Sequence, residues 1–283
     1  MPSCGHGSIR TAAALVAAGV VIAYAPVAHA YHEGDERLVD GTAHTLRAGE
    51  VRVGLGELEL GPTSFITVGT DVEAWAASFV LQALVVNAHA KVRLLHTEPL
   101  TISLYAGAYR ASIPASGPVV AGSGSLLLIP ASIYTSSDLS KRVSLHLGVT
   151  YAHVEADGEV QLVPGNDRAR AALAASALQL HAMVEYRVSR LVAITLAGHA
   201  QPVMSQPAVH LSSTTAYGDH LEFVGTVAPV DRTAVAAVAN VVISGRHVNL
   251  RIGGGYGAIF LPSMGVMIPY RTVLPELDAY VRF

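Results

Sequence analysis

What most constrains this chain is a two-residue period. From Asn87 to Leu94 the odd positions carry Asn87, His89, Lys91 and Arg93, while the even ones carry Ala88, Ala90, Val92 and Leu94. Leu100–Tyr109, Val143–Ala152 and Val248–Gly257 repeat the pattern. Side chains of a β-strand point alternately to opposite faces, so each run is a ribbon with one apolar and one polar side. Looser versions occupy Glu50–Leu60, Ser64–Thr70, Ser125–Tyr134, Leu178–Arg187, Leu191–His199, Ala234–Ile243 and Val273–Phe283, which brings the count to eleven. Many run ~9–11 residues, the length a tilted strand needs to cross a bilayer.

The connections alternate too. Short ones fall at His96–Pro99, Ser136–Lys141, Ser189–Arg190 and Gly245–His247, and long ones at Ala111–Gly124, Ala156–Ala171, Met204–Arg232 and Leu261–Thr272. In the last strand Leu277, Ala279, Val281 and Phe283 share one face, against Glu276, Asp278, Tyr280 and Arg282 on the other. An alternating strand that stops on a terminal Phe resembles the closing strand of Gram-negative outer-membrane β-barrel proteins. The resemblance implies an all-β, transmembrane, antiparallel up-and-down barrel, with Leu277, Ala279, Val281 and Phe283 as the signal that the barrel-assembly machinery reads. Short turns on one side and long loops on the other fit such a barrel. Single-chain bacterial barrels have an even number of strands. The expectation is therefore twelve, with ten as the alternative, and the twelfth is sought in Val72–Leu84 or Thr42–Arg47.

Residues 1–30 read as a secretory signal peptide: one charge, Arg10, then an apolar core ending in Ala28-His29-Ala30, with cleavage expected after Ala30. Residues 31–48 are expected to form a periplasmic lead-in and 49–283 the barrel. The sole cysteine, Cys4, lies in the leader, so no mature disulfide or Cys-ligated metal is expected. Charged residues make up only 14 % of the chain, well under the ~25 % usual for soluble domains. A net charge of −3 offers no basic excess for nucleic acid.

If the apolar faces meet outer-membrane lipid, the polar faces line a lumen. Alternation places Arg52, Lys91, Arg93, Arg187, Arg251 and Arg282 there, with Glu185, Glu276, Asp278 and Asn249. Six cations against three anions predict a mildly anion-attracting lumen, or one plugged by pairing of Arg251 with Glu276 or Asp278 and of Glu185 with Arg187. Tyr109, Tyr134, Tyr151, Tyr186, Tyr256, Tyr270 and Phe283 sit near strand ends, where interfacial girdles are built.

No two of the thirteen histidines form a recognised ligand motif, and no Gly-x-Ser-x-Gly elbow is present. Neither a catalytic residue, a metal nor a cofactor is expected. The functional expectation is a narrow passive channel for a small solute or a non-conducting structural barrel with exposed loops. A lipid-modifying enzyme and a surface-loop binding protein, the latter through Met204–Arg232, are the alternatives.

A folded barrel resists detergent until it is heated. Purified, detergent-folded protein should therefore migrate differently in gels before and after boiling, and co-migration would contradict the architecture.

Overall fold

Inside a bilayer, backbone N–H and C=O groups can bond only to one another, and a ribbon of strands meets that demand by closing into a ring. The computed structural model describes residues 40–283 apart from 117–119, 163–166, 206, 216, 227–232, 246 and 262–263. The elements are β1 (Val51–Gly54), β2 (Glu57–Thr63), β3 (Ile66–Asp71), helix α1 (Val72–Leu81), β4 (Leu84–His96), β5 (Leu100–Ser116), β6 (Val120–Asp138) and β7 (Val143–Leu162). They continue with β8 (Arg168–Arg187), β9 (Val192–Met204), β10 (Ala208–Thr214), β11 (His220–Thr226), β12 (Ala234–Ser244), β13 (Val248–Leu261) and β14 (Val266–Arg282).

All pairings are antiparallel. Neighbours run from β1 to β9, then through β12, β13 and β14 back to β1. Twelve strands close the ring. The hairpin β10–β11 stands outside it: β10 pairs with Arg168–Ala174 of β8, whereas β9 pairs with Ala177–Arg187 lower on the same strand. The expected leader and residues 31–39 lie outside the described residues.

The twelfth strand comes from neither expected place. Residues 72–81 are helical, and residues 42–46 form no strand. Instead the run Glu50–Leu60 breaks at Leu55–Gly56 into β1 and β2, which pair Val51 with Leu60 and Val53 with Leu58. This turn reverses the phase of alternation. Arg52 faces inward on β1, and Glu57 and Glu59 face inward on β2, where an unbroken strand would have turned them outward.

The two faces carry opposite chemistry. Outward positions such as Ile133, Leu147, Leu196, Ile252 and Leu277 are exposed. Inward positions such as Thr101, Ser132, His146, Thr195, Asn240 and Asn249 are buried. A soluble fold would reverse this arrangement, so the apolar belt is a lipid-facing surface. Tyr151, Tyr186, Tyr256, Tyr270 and Phe283 face outward. Tyr109 and Tyr134 do not belong to the girdles: Tyr109 is buried in the lumen, and the Tyr134 ring fills the space above Gly148.

Three features shape the lumen. At the periplasmic end the N-terminal segment runs inside the barrel, with Thr42–Leu46 buried. Its backbone is held from the walls, Ala43 N–H donating to Ser136 Oγ (2.8 Å) and Leu46 N–H to Thr67 Oγ1 (2.8 Å). Part of the expected periplasmic lead-in thus lies within the lumen. At the outer end the β13–β14 turn folds inward: Met264 and Val266 pack on Ala74, Tyr109, Leu128 and Ala152, and Met267 is buried.

The third feature is a notch in the wall. β1 pairs with β14 only at Arg282, Val281 and Tyr280, and β3 pairs with β4 only between His89 and Val92. Above these short strands the β14 edge has no strand partner among the described residues. Leu55 N–H donates to Ala279 O (3.0 Å) and Val51 N–H to Phe283 O (3.2 Å), so the backbone groups of odd-numbered β14 residues point toward the notch. Pro275 is one of them. Proline has no N–H to leave unsatisfied, which makes it suited to an open strand edge.

Because β9 and β12 already pair directly (Ala234 with Gln201), replacing residues 205–232 by a short Gly/Ser turn should leave the barrel closed. Heat-modifiable mobility should persist, with the unfolding free energy changed by no more than about 1 kcal/mol.

Candidate functional site

A knot of ion pairs lies at mid-lumen, built where the turn at Leu55–Gly56 delivers Arg52 and Glu57 to one place. Arg52 is 2 % exposed and shares its guanidinium among four carboxylates. It donates to both oxygens of Asp40, through Nη1 to Glu57 (3.0 Å) and Glu59 (3.1 Å), and through Nη2 to Asp278 (3.3 Å). Its guanidinium carbon sits 4.0 Å from the centre of the Tyr280 ring. Arg251 reaches the same Asp40 (2.6 Å) and Asp278 (3.2 Å), and also Glu276 (3.3 Å). Asp40 therefore ties the N-terminal segment to two walls at once. Burial alone would push its carboxyl up, but the guanidinium groups of Arg52 and Arg251 hold it well below the usual carboxylate range.

The other lumen candidates are spread along the barrel. Lys91 is buried, with Nζ 3.4 Å from the His44 carbonyl. Arg187 donates to Glu185 (3.0 Å) and Ser144 Oγ (2.7 Å) toward the periplasmic end. Arg282 pairs with Glu50 (3.2 Å), and Asn249 is fully buried. Arg93 is half-buried beside a bulge in β4. The pairings that alternation suggests, Arg251 with Glu276 and Asp278 and Arg187 with Glu185, are present. Leu277 and Phe283 face outward, and Phe283 exchanges backbone hydrogen bonds with Val51 across the closing seam.

Sequence reasoning missed Asp40, Glu57, Glu59, Asp71 and Glu73, and with them the sign of the lumen. A cavity of about 300 Å³ lies beside the knot, and a smaller one of about 80 Å³ adjoins it. Their walls carry seven carboxylates, Asp40, Glu57, Glu59, Asp71, Glu73, Glu276 and Asp278, against three fixed cations, Arg52, Lys91 and Arg251. The expected anion-attracting lumen is therefore acidic at its centre. Glu73 shows the crowding: desolvation, then Asp71, Asp278 and Glu276, raise its carboxyl above the ordinary value.

The large cavity also has an apolar lining, with Met183, Ala197, Val238, Phe260 and Leu274. His199 stacks on Phe260, ring centres 4.0 Å apart, and lies beside His181. Gly41, at φ +65°, passes close under the His181 ring, where a side chain would have to displace it. The cavity also touches Gly56, Glu73, Pro275 and Leu277, which frame the notch.

Two other constellations lead to no chemistry. Ser136 Oγ meets His146 Nδ1 (2.8 Å), and His146 Nε2 faces Glu185 (3.5 Å), an order familiar from hydrolases. All three are at least 98 % buried and line neither cavity. Glu57, Glu59 and His89 place ligand atoms within 4.8 Å of one another, but Arg52 already bridges the two carboxylates.

No protein-family model and no curated protein matches the chain. Among solved structures it is similar to the toluene transporter TodX of Pseudomonas putida (8 % identity, TM-score 0.42, covering 82 % of this chain and 76 % of that one). It is also similar to the monoaromatic hydrocarbon channel CymD (9 %, 0.39, 90 % and 94 %) and to LpxR from Salmonella typhimurium (8 %, 0.28, 70 % and 88 %). At this level of identity and superposition these likenesses carry no functional argument. The fold is a closed, twelve-stranded transmembrane barrel.

Arg52→Met would strand several buried carboxylates at once. It should lower unfolding stability by about 3–5 kcal/mol in a urea titration of the detergent-folded barrel. The pH dependence follows from Asp40. Its carboxyl is depressed in the folded state, so its stabilisation is complete above the unfolded carboxyl's pKa of about 4 and is lost as pH falls through the lower, folded value. Asp40→Asn should flatten the acid limb of a stability–pH curve, and an unchanged limb would refute the assignment.

Proposed function

We propose that the protein is a Gram-negative outer-membrane barrel that admits a small molecule through its side rather than conducting ions end to end. One observation carries this reading: the central cavity is covered at both ends and meets the wall at a notch. The N-terminal segment fills the periplasmic half, pinned by Asp40 to Arg52 and Arg251. The inward-folded β13–β14 turn covers the outer half. Between them, Gly56, Glu73, Pro275 and Leu277 frame a path to the lipid-facing surface. A solute that partitions into lipid can use such a path, whereas a hydrated ion meets the plug. Release toward the periplasm requires the N-terminal segment to move, and the ion pairs of Asp40 with Arg52 and Arg251 hold it in place. The apolar outward face of the last strand supports recognition by the barrel-assembly machinery, and the terminal Phe283 closes the ring.

Gly56 tests the side path. A Cβ there meets only Glu73 Oε1 at an ordinary 3.6 Å, so Gly56→Trp should fill the notch while leaving the barrel folded. Uptake of a small radiolabelled aromatic solute into proteoliposomes should fall at least fivefold in this variant. Wild-type protein in a planar bilayer should show no steady open-pore conductance, and Asp40→Asn should introduce it. A large wild-type conductance, or a Gly56→Trp variant that transports normally, would overturn the proposal.

A further inference from the structure

The cavity that meets the notch is divided by chemistry. Part of its lining is apolar, presenting Met183, Val238, Phe260 and Leu274, and part is carboxylate-rich. The Nη atoms of the two guanidinium groups are already committed: those of Arg52 serve four carboxylates, and those of Arg251 serve three, two of them the same. Around both cavities seven carboxylates face three fixed cations, with His89 beside Glu59 (3.3 Å) and Asp71 (3.5 Å). Buried charge of one sign is costly without a partner, so this site calls for positive charge from outside.

A second observation points to the same ligand. Asn240, 5 % exposed on the cavity wall, gives its amide N–H to Glu276 (2.8 Å), and its Oδ1 has no donor. Asp71, 2 % exposed and also lining the cavity, is already engaged: Oδ2 accepts from Tyr109 and Oδ1 faces His89 Nδ1 at 3.5 Å. The buried Asn240 Oδ1, an acceptor without a donor, is met by a ligand that carries N–H groups. An inorganic ion would use the carboxylates and leave the Phe260 wall empty, whereas an anion would meet the acidic face.

We propose that this cavity binds a small organic cation, an ammonium group carried on an apolar body. The ammonium lies among Asp71, Asn240, Glu276 and Asp278, and the body lies against Phe260 and Leu274. The aromatic ring adds its own attraction for a nearby cation. This assignment rests on the side-opening reading above and gives it a substrate class.

The test is calorimetric titration of the full-length, detergent-folded barrel with four probes: phenethylammonium, the neutral 2-phenylethanol, the anion phenylacetate, and calcium chloride alone. Phenethylammonium should bind at least tenfold tighter than 2-phenylethanol, and phenylacetate should bind more weakly than either. Glu276→Gln should narrow the cation-to-alcohol ratio at least fivefold. Glu73→Gln, which alters a cavity carboxylate carried by the helix rather than by a strand, should narrow it in the same direction and guards against misfolding of the strand variant. Equal affinity for cation and alcohol, or an unchanged ratio in both variants, would overturn the cation assignment and leave the side path standing. Calcium binding in preference to the amine would also overturn it. Failure of every probe to bind, together with normal uptake by Gly56→Trp, would remove the side path as well.

Discussion

A backbone N–H that faces hydrocarbon has no water to bond, and the whole molecule answers to that fact. Closure of twelve strands satisfies the ladder almost everywhere. Among the described residues the exception lies where β1, β2 and β3 stop short and the upper part of β14 is left without a neighbouring strand. Pro275 reduces the cost of that edge because it has no donor to leave bare. An edge so protected yet left open in an otherwise closed wall is a feature that needs a use, and the central cavity reaches the wall there.

The charge in the lumen follows from the same geometry. A narrow barrel has room for few side chains, so charges brought inside must pair, and two arginines hold most of the described knot together. Arg52 and Arg251 both reach Asp40, which does not belong to the wall at all. The plug and the wall are thus one electrostatic unit: displacing the N-terminal segment exposes Arg52 and Arg251 to the other carboxylates alone. Resistance to opening and the acidic character of the cavity share this origin.

The fold was largely legible in the residues. Alternation in β4, β5, β7 and β13 gave the strands and, once the apolar face was assigned to lipid, the direction of every inward side chain on them. The site was not legible to the same degree, and the reason lies at Leu55–Gly56. A two-residue turn within an apparently continuous strand inverts the phase, so Glu57 and Glu59 point inward where an unbroken run puts them outward. No strong turn dipeptide marks the break, and the strands on either side are too short to show it by periodicity. Asp40 escaped for a different reason, because nothing local tells a polar segment to thread into a lumen instead of lying outside it.

By itself, the sequence determined the strand pattern and the apolar face of each strand, because these depend on a period that each segment carries alone. Only the tertiary structure decided the plug, the notch and the acid-rich cavity. Each of these arises from where distant segments meet across the barrel, and the Coulomb interactions that fix them act between residues as far apart in the chain as Asp40 and Arg251.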